Sequence, residues 1–195
     1  MAAGDHSGGG RRAIFLDRDG TLNVEVNYLH RLDDLVLVPG AAEAVRSLSA
    51  AGFLVIVVTN QAGIARGYYD QTALHTLHEE IQRRLAAEGA RIDAFYFCPH
   101  HPEFGGVCEC RKPAPGMLRQ AAHDHGIDLA RSWLIGDTSG DIGAGRAVGC
   151  RTILVRSGYG AQAEAALGSG GAPQPEAIVA DLPAAAAYVL AHDRG

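Results

Sequence analysis

Short apolar runs, rich in β-branched and aromatic residues, recur along the chain and alternate with longer stretches of mixed polarity. The runs lie at residues 13–16, 54–59, 94–98, 133–135 and 151–155. Amphipathic stretches typical of helices lie between them, at residues 41–51, 71–88, 117–125 and 141–148. Continuous apolar strands that alternate with helices are typical of a parallel sheet covered on both faces. The pattern therefore predicts a doubly wound α/β fold.

The remaining segments add little to this core. We expect residues 1–10, which are rich in glycine, to form a flexible tail and residues 11–195 to form one domain. Residues 161–175 predict a surface loop, followed by an edge strand at residues 177–179 and a closing helix at residues 182–191. The longest departures from the α/β rhythm, residues 24–39 and 99–115, are too short for a large cap domain.

Charge and hydropathy exclude several classes of partner. The chain has 17 Lys and Arg against 22 Asp and Glu, a formal charge of −5, so it offers no broad basic surface to nucleic acid or an anionic membrane. Its apolar runs are far shorter than the roughly 20 residues that span a bilayer. The first residues also lack the apolar segment of a secretory signal. We expect a soluble, cytoplasmic monomer that binds anions only at a local site.

Polar side chains stand where the predicted strands end. Asp17 and Asp19 follow the first run, Thr59 ends the second and Asp137 follows the fourth, while Lys112 lies in a loop. Ligands of open parallel sheets bind at this edge. Carboxylates suit Mg²⁺, so Asp17 and Asp137 are predicted metal ligands. The set predicts phosphoryl transfer, with Asp17 as nucleophile, Asp19 as general acid and then base, and Thr59 and Lys112 stabilising the phosphoryl oxygens.

A second group combines three of the four cysteines with a histidine. Its members are Cys98, His100, Cys108 and Cys110. Three thiolates and one imidazole form a closed tetrahedral set that suits a structural Zn²⁺. The alternatives are a chance group of reduced thiols or a redox pair, with His101 as the alternative histidine, but the spacing favours zinc and His100. Because residues 98–110 lead directly into Arg111 and Lys112, we expect metal binding to position both side chains.

Four ordered motifs resemble those of the haloacid dehalogenase superfamily of phosphatases. They are FLDRDGTLN, VVTNQ, CRKP and IGDTSGD, within residues 12–160. The resemblance implies that Asp17 forms an aspartyl-phosphate and that Asp19 is the acid and base. It further implies that Mg²⁺ is bound by Asp17, the backbone carbonyl of Asp19 and Asp137, and that Asp141 supports the site.

Four further segments narrow the resemblance to the heptose-bisphosphate phosphatases of bacteria. They are CPHHP, CECRKP, TNQAGIARG and LVRSGYG. The resemblance implies removal of the 7-phosphate from D-glycero-D-manno-heptose 1,7-bisphosphate, a step towards lipopolysaccharide core, and leaves the anomer open. It implies these substrate-binding residues: Arg18, Glu25, Val26, Asn27, Tyr28, Asn60, Gln61, Ala62, Arg111 and Thr138. The alternatives are a histidinol-phosphate phosphatase and a non-catalytic module that binds phosphosugars.

Overall fold

The computed structural model describes residues 10–167 and 174–193. Residues 1–9 of the predicted tail and residues 168–173 of the predicted surface loop lie outside these ranges. The strands within the described residues are β1 (Ala13–Leu16), β2 (Leu54–Asn60), β3 (Ala94–Cys98), β4 (Trp133–Gly136), β5 (Arg151–Val155) and β6 (Ala177–Val179). The α-helices there are α1 (Ala41–Ala50), α2 (Ala62–Ala65), α3 (Gln71–Ala87), α4 (Gly116–His125), α5 (Ser139–Arg146), α6 (Gly160–Leu167) and α7 (Leu182–His192).

All six strands form one parallel sheet in the order β3-β2-β1-β4-β5-β6. Strand β1 is central, and its Ile14 pairs with Val55 of β2 on one side and Trp133 of β4 on the other. The chain builds outwards from β1 to β3 and then returns to place β4 beside β1. The direction of winding therefore reverses between β1 and β4, and the predicted doubly wound α/β fold is confirmed.

Alternate side chains of the central strand enter two different apolar layers. Ile14 and Leu16 join a cluster that includes residues of α1, α3 and α7, whereas Ala13 and Phe15 join a cluster with α4. All four are completely buried. Because successive side chains of a strand point to opposite faces, helices cover both faces of the sheet. Burial of each large apolar side chain contributes about 1.5–3 kcal/mol.

The short helix α2 lies outside the predicted helical stretches, and two longer helices also differ from the sequence prediction. Helix α5 begins at Ser139 rather than at residue 141, because Thr138 and Asp141 form a reciprocal capping box at its first turn. Residues 161–167, predicted to belong to a surface loop, form all but the first residue of α6 instead. The alanine-rich sequence GAQAEAAL has a high helix propensity, and Leu167 packs against Ile142 and Leu154.

The long connections at residues 24–39 and 99–115 fold close to the sheet edge. Their regular helical structure, within the described residues, is one 3₁₀ turn each, Leu32–Asp34 and Pro102–Phe104. As predicted, the described chain contains no large cap domain. None of its described helices combines the length and the apolar character needed to cross a membrane.

Candidate active site

The four predicted catalytic side chains lie together at the carboxyl edge of the sheet. Asp17 follows β1, and its N–H donates to the carbonyl of Ile135 in β4 at 2.9 Å. Thr59 lies in β2, and Asp19 and Lys112 come from the adjoining loops. All four line one cavity of about 290 Å³. The cavity lies beside the reversal of strand order, where open α/β sheets bind ligands.

Lys112 is buried and held from several directions. Its Nζ lies 2.8 Å from Asp17 Oδ1 and 2.6 Å from Asp141 Oδ1, and it donates to the carbonyl of Val58 at 2.7 Å. The side chain of Asn60 fixes the lysine backbone: its Oδ1 accepts the Lys112 N–H at 3.0 Å and its Nδ2 donates to the Lys112 carbonyl at 3.2 Å. The ammonium group is therefore preorganised beside Asp17.

Buried charges shift the pKa values of this cluster. Burial raises the pKa of Asp17 well above its usual range, and repulsion from Asp141 adds to the shift. Burial also raises the pKa of Asp137 to about 7, although the N–H of Tyr159 opposes the change. Burial would lower the pKa of Lys112, but attraction to Asp141 and Asp17 outweighs it and raises this pKa. Three carboxylates around one ammonium favour the binding of a further cation.

Asp137 has a donor atom available for that cation. Its Oδ2 accepts the N–H of Tyr159 at 2.8 Å, whereas its buried Oδ1 has no hydrogen-bond partner among the described residues. Ligand oxygens of Asp17, Asp137 and Asp141 lie within 4.8 Å of one another, but those of Asp141 are engaged by Lys112 and by the first turn of α5. An all-oxygen donor set suits Mg²⁺, so Asp17 and Asp137 fit the predicted ion.

Two glycines enclose the Asp137 carboxylate. Gly20 and Gly158 both have positive φ angles, of 83° and 56°. A Cβ atom at either position would lie 2.2 Å from Asp137 Oδ2, and one at Gly158 would also lie 2.6 Å from the Gly20 Cα. A positive φ angle favours glycine, and only a residue without a Cβ permits this close approach, so the carboxylate is held in one orientation.

Asp19 accepts hydrogen bonds from three side chains. Arg18 Nη2 lies 2.7 Å from Oδ2 and 2.8 Å from Oδ1. Asn23 Nδ2 donates to Oδ1 at 3.1 Å and Gln61 Nε2 donates to Oδ2 at 3.0 Å. The hydroxyl of Tyr69 donates to Gln61 Oε1 at 2.6 Å, which fixes the amide with its nitrogen towards Asp19.

Most of the predicted substrate-binding residues line the same cavity. They are Glu25, Asn27, Tyr28, Asn60, Gln61, Ala62, Arg111 and Thr138. Arg18 and Val26 lie elsewhere: the Arg18 side chain is fully buried against Asp19, and Val26 packs against the apolar core. Arg18 therefore faces the interior, while the aspartates on either side of it face the cavity.

Some lining residues carry little signal in the sequence. Tyr69, His101 and Tyr159 also face the cavity; Tyr159 lies in the segment LVRSGYG, and His101 follows His100.

Burial and repulsion from the aspartates raise the pKa of Glu25 to about 7. The hydroxyl of Thr138 is hydrogen-bonded to the α5 capping carboxylate at 2.5 Å, so this side chain also stabilises the helix end.

The side chains of the four predicted zinc ligands lie together. Cys98 Sγ lies 3.5 Å from Cys108 Sγ and 3.6 Å from His100 Nδ1, and His100 Nδ1 lies 3.2 Å from Cys110 Sγ. All four ligand atoms lie within 4.8 Å of one another. Burial would raise the pKa of Cys108, but hydrogen bonds, first among them one from the Arg111 N–H, lower it to about 7. The group can hold a metal ion, and its thiol and imidazole donors suit zinc.

The alternative histidine has a different environment. His101 Nδ1 accepts the N–H of Glu103 at 3.3 Å, and His101 Nε2 lies 3.3 Å from Arg66 Nη2. Its ring also packs against Phe104. His100, rather than His101, therefore joins the cluster, and the same loop carries Arg111, whose Nη1 donates to the His100 carbonyl at 3.3 Å.

Comparison with known proteins gives the family. A family model described as "HAD-hyrolase-like" matches residues 109–185. The D-glycero-D-manno-heptose-1,7-bisphosphate 7-phosphatase of Thermosynechococcus vestitus is 47% identical over 192 residues, which cover 93% of this chain and 97% of that protein. The chain belongs to the heptose-bisphosphate phosphatase family. It is therefore an enzyme that hydrolyses phosphate monoesters, as the motifs predict.

Two further members of the heptose-bisphosphate phosphatase family agree with this assignment. The D-glycero-beta-D-manno-heptose-1,7-bisphosphate 7-phosphatase of Pseudomonas aeruginosa is 42% identical, covering 92% of this chain and 98% of that protein. The crystal structure of the D,D-heptose 1,7-bisphosphate phosphatase of B. bronchiseptica, complexed with magnesium and phosphate, superposes with a TM-score of 0.84. It is 37% identical and covers 92% of this chain and 98% of that one.

Proposed function

We propose that the enzyme hydrolyses the 7-phosphate of D-glycero-D-manno-heptose 1,7-bisphosphate and releases heptose 1-phosphate. The observation that carries this proposal is the buried ion pair of Lys112 and Asp17 in the wall of the cavity. The 47% identity to a relative named for this reaction supports the choice of substrate. The conversion is a step of carbohydrate metabolism towards lipopolysaccharide core.

Asp17 is the proposed nucleophile. Its carboxylate oxygen attacks phosphorus, and an aspartyl-phosphate forms as the bond from phosphorus to the sugar oxygen breaks. Lys112 lies 2.8 Å from Asp17 Oδ1 and, with the Thr59 hydroxyl, stabilises charge on the phosphoryl oxygens. Because Asp141 and the Val58 carbonyl hold the ammonium in place, little reorganisation is needed during the reaction.

Asp19 is the proposed acid and base. It gives a proton to the leaving sugar oxygen and then takes one from the water that hydrolyses the aspartyl-phosphate, so the enzyme returns to its starting state. Its position on the cavity wall beside Asp17 supports this role.

Asp17, the backbone carbonyl of Asp19 and Asp137 would hold Mg²⁺. The unpartnered Oδ1 of Asp137 supports this assignment. When bound, the ion offsets repulsion between the nucleophilic carboxylate and the anionic phosphoryl group.

Cys98, His100, Cys108 and Cys110 would hold a structural Zn²⁺, because four protein ligands leave no open position for substrate. The ion would fix the loop that continues into Arg111.

The outer part of the cavity has the chemistry of a phosphorylated sugar site. Arg111 lies on the cysteine-loop side, and its planar guanidinium suits bidentate binding of the second phosphate. Glu25, Asn27 and Tyr28 line the cavity from another loop and offer hydrogen-bonding groups for sugar hydroxyls.

The deciding assay compares turnover of both heptose 1,7-bisphosphate anomers with that of histidinol phosphate. We expect a higher kcat/KM for a heptose bisphosphate, and a preference for histidinol phosphate would overturn the substrate assignment. Binding without Mg²⁺-dependent turnover would instead indicate a phosphosugar-binding module. The Asp17→Asn variant should abolish turnover, whereas Asp33→Asn, at a side chain 90% exposed, should retain it.

We also propose that the enzyme acts in the cytoplasm as a monomer, with no nucleic-acid or membrane partner. The formal charge of −5 supports the absence of a nucleic-acid partner. Light scattering during size-exclusion chromatography should give the mass of one chain, and a dimer mass would contradict the monomer assignment.

A further inference from the structure

Arg18 is a buried charge with no direct part in the proposed reaction. Its side chain is fully buried and does not line the cavity. Its Nε donates to Asp19 Oδ1 at 3.0 Å, and its Nη2 contacts both carboxylate oxygens. Burying a guanidinium is unfavourable unless it is paired. Asp19 therefore holds Arg18 in the interior, and Arg18 in turn restrains Asp19.

His78 of α3 lies at the other end of the guanidinium. Its Nε2 is 3.4 Å from Arg18 Nη1, and its ring stacks on Phe95 with centroids 4.5 Å apart. Burial, reinforced by the Arg18 charge, lowers the pKa of His78 to about 3, so the imidazole is neutral and Nε2 can accept from Nη1. The carbonyl of Leu29 accepts a further, longer bond from Nη2 at 3.4 Å.

We infer that Arg18 is a positioning residue that aims the carboxyl group of Asp19 at the leaving oxygen of the substrate. The inference rests on the proposed function, in which the Asp19 proton moves to the sugar oxygen as the phosphorus–oxygen bond breaks and the Asp17–phosphorus bond forms. Asn23 and Gln61 each hold one carboxylate oxygen, whereas the guanidinium contacts both and so fixes the plane of the group. A lysine ammonium is a point charge and lacks this geometry.

The test uses two esters that differ in their need for an acid. An alkyl ester such as a sugar phosphate requires protonation of its leaving oxygen, whereas p-nitrophenyl phosphate releases a stable anion without it. kcat/KM reports the steps up to release of the first product, before the aspartyl-phosphate is hydrolysed. For Arg18→Lys we expect kcat/KM to fall about tenfold or more on the sugar phosphate and to change less than about twofold on the aryl ester.

The control is Arg12→Lys. Like Arg18, Arg12 forms an ion pair, with Asp193, but its side chain is only partly buried, at 18% exposed. It precedes β1, at the opposite end of the strand from Asp17, so this variant should keep wild-type kcat/KM on both esters. Unfolding midpoints of each variant show whether it is folded under the assay conditions.

If Arg18→Lys does not fold, a second variant, His78→Phe, can be used for the same comparison. His78→Phe keeps an aromatic ring against Phe95 but removes the acceptor for Arg18 Nη1. It should show the same selective loss, of about threefold, on the sugar phosphate.

The possible results distinguish the positioning role of Arg18 from the proposed phosphatase function. Equal losses on both esters, or no loss on either, would overturn the positioning role of Arg18 while leaving the phosphatase assignment intact. A wild-type enzyme that hydrolyses neither ester would instead reject the proposed function, and the inference with it. A selective loss on the sugar phosphate in either folded variant supports the inference.

Discussion

Replacing Asp141 by alanine removes a partner of the buried lysine. Asp141 is fully buried, with Oδ1 2.6 Å from Lys112 Nζ and Oδ2 accepting the Thr138 N–H at 3.0 Å. Breaking a buried ion pair costs about 3–5 kcal/mol. Because Lys112 keeps Asp17 and the Val58 carbonyl, we take about 3 kcal/mol for this loss. The lost cap adds about 1 kcal/mol.

The expected total for Asp141→Ala is about 4 kcal/mol of unfolding free energy, or a fall in Tm of about 8–16 °C. Urea unfolding followed by the fluorescence of Trp133, which is almost fully buried, measures it. Asp70→Ala is the control, since exposed Asp70 caps α3 by accepting the N–H of Ala73 at 2.8 Å, and it should lose only about 1 kcal/mol. Equal losses in the two variants would refute the contribution assigned to the buried pair.

Three further predictions concern acid stability, the Asp137 enclosure and the cysteine cluster. The pKa of His78 falls from 6.5 to about 3 on folding, so the unfolded chain takes up this proton first as pH falls below 6.5, and stability is lost. Between pH 8 and pH 5, the unfolding free energy of His78→Phe should therefore rise by about 2 kcal/mol relative to that of the wild type, as measured by urea unfolding. A difference between the two proteins that does not change with pH would contradict this. Gly158→Ala should lower Mg²⁺ affinity and kcat/KM about tenfold or more. Gly149→Ala is the control and should change neither, because Gly149 also has a positive φ angle but a Cβ there would have no atom within 4 Å. Equal effects of the two variants would exclude the steric explanation. Cys108→Ser should reduce bound zinc from about one per chain to nearly none and lower Tm, and full metal content by mass spectrometry would reject the ligand set.

The order of strands and helices is predictable because each strand is a continuous apolar run, but helix ends depend on local capping. The motif IGDTSGD contains both the predicted metal ligand Asp137 and the capping pair of Thr138 and Asp141. These residues are interpreted from the sequence as parts of a phosphatase site, and so the helix start at Ser139 is missed. Similarly, the glycine, serine and proline residues after residue 167 dominate the composition of that segment and hide the alanine-rich helix before it.

Convergence of the proposed catalytic residues is predictable because parallel strands end at one edge, whereas the direction of a loop side chain is not. Arg18 has proposed catalytic residues on both sides, yet its own side chain enters the interior. Tyr69 reaches Gln61 because Gly63 leaves room: a Cβ there would lie 2.2 Å from the tyrosine ring. Such a contact depends on packing between separate loops and has no periodic pattern in the sequence.

The loop that carries the cysteine cluster is anchored at both ends by the same residue. Cys98 ends β3 directly opposite Asn60 of β2, and Asn60 also binds the backbone of Lys112. The ends stay together whatever lies between them, and doubling the length of such a loop costs only about 0.6 kcal/mol in closure entropy. Val107, which is 97% exposed, is a natural point for insertions. The length of this loop can therefore change during evolution while the lysine stays in place.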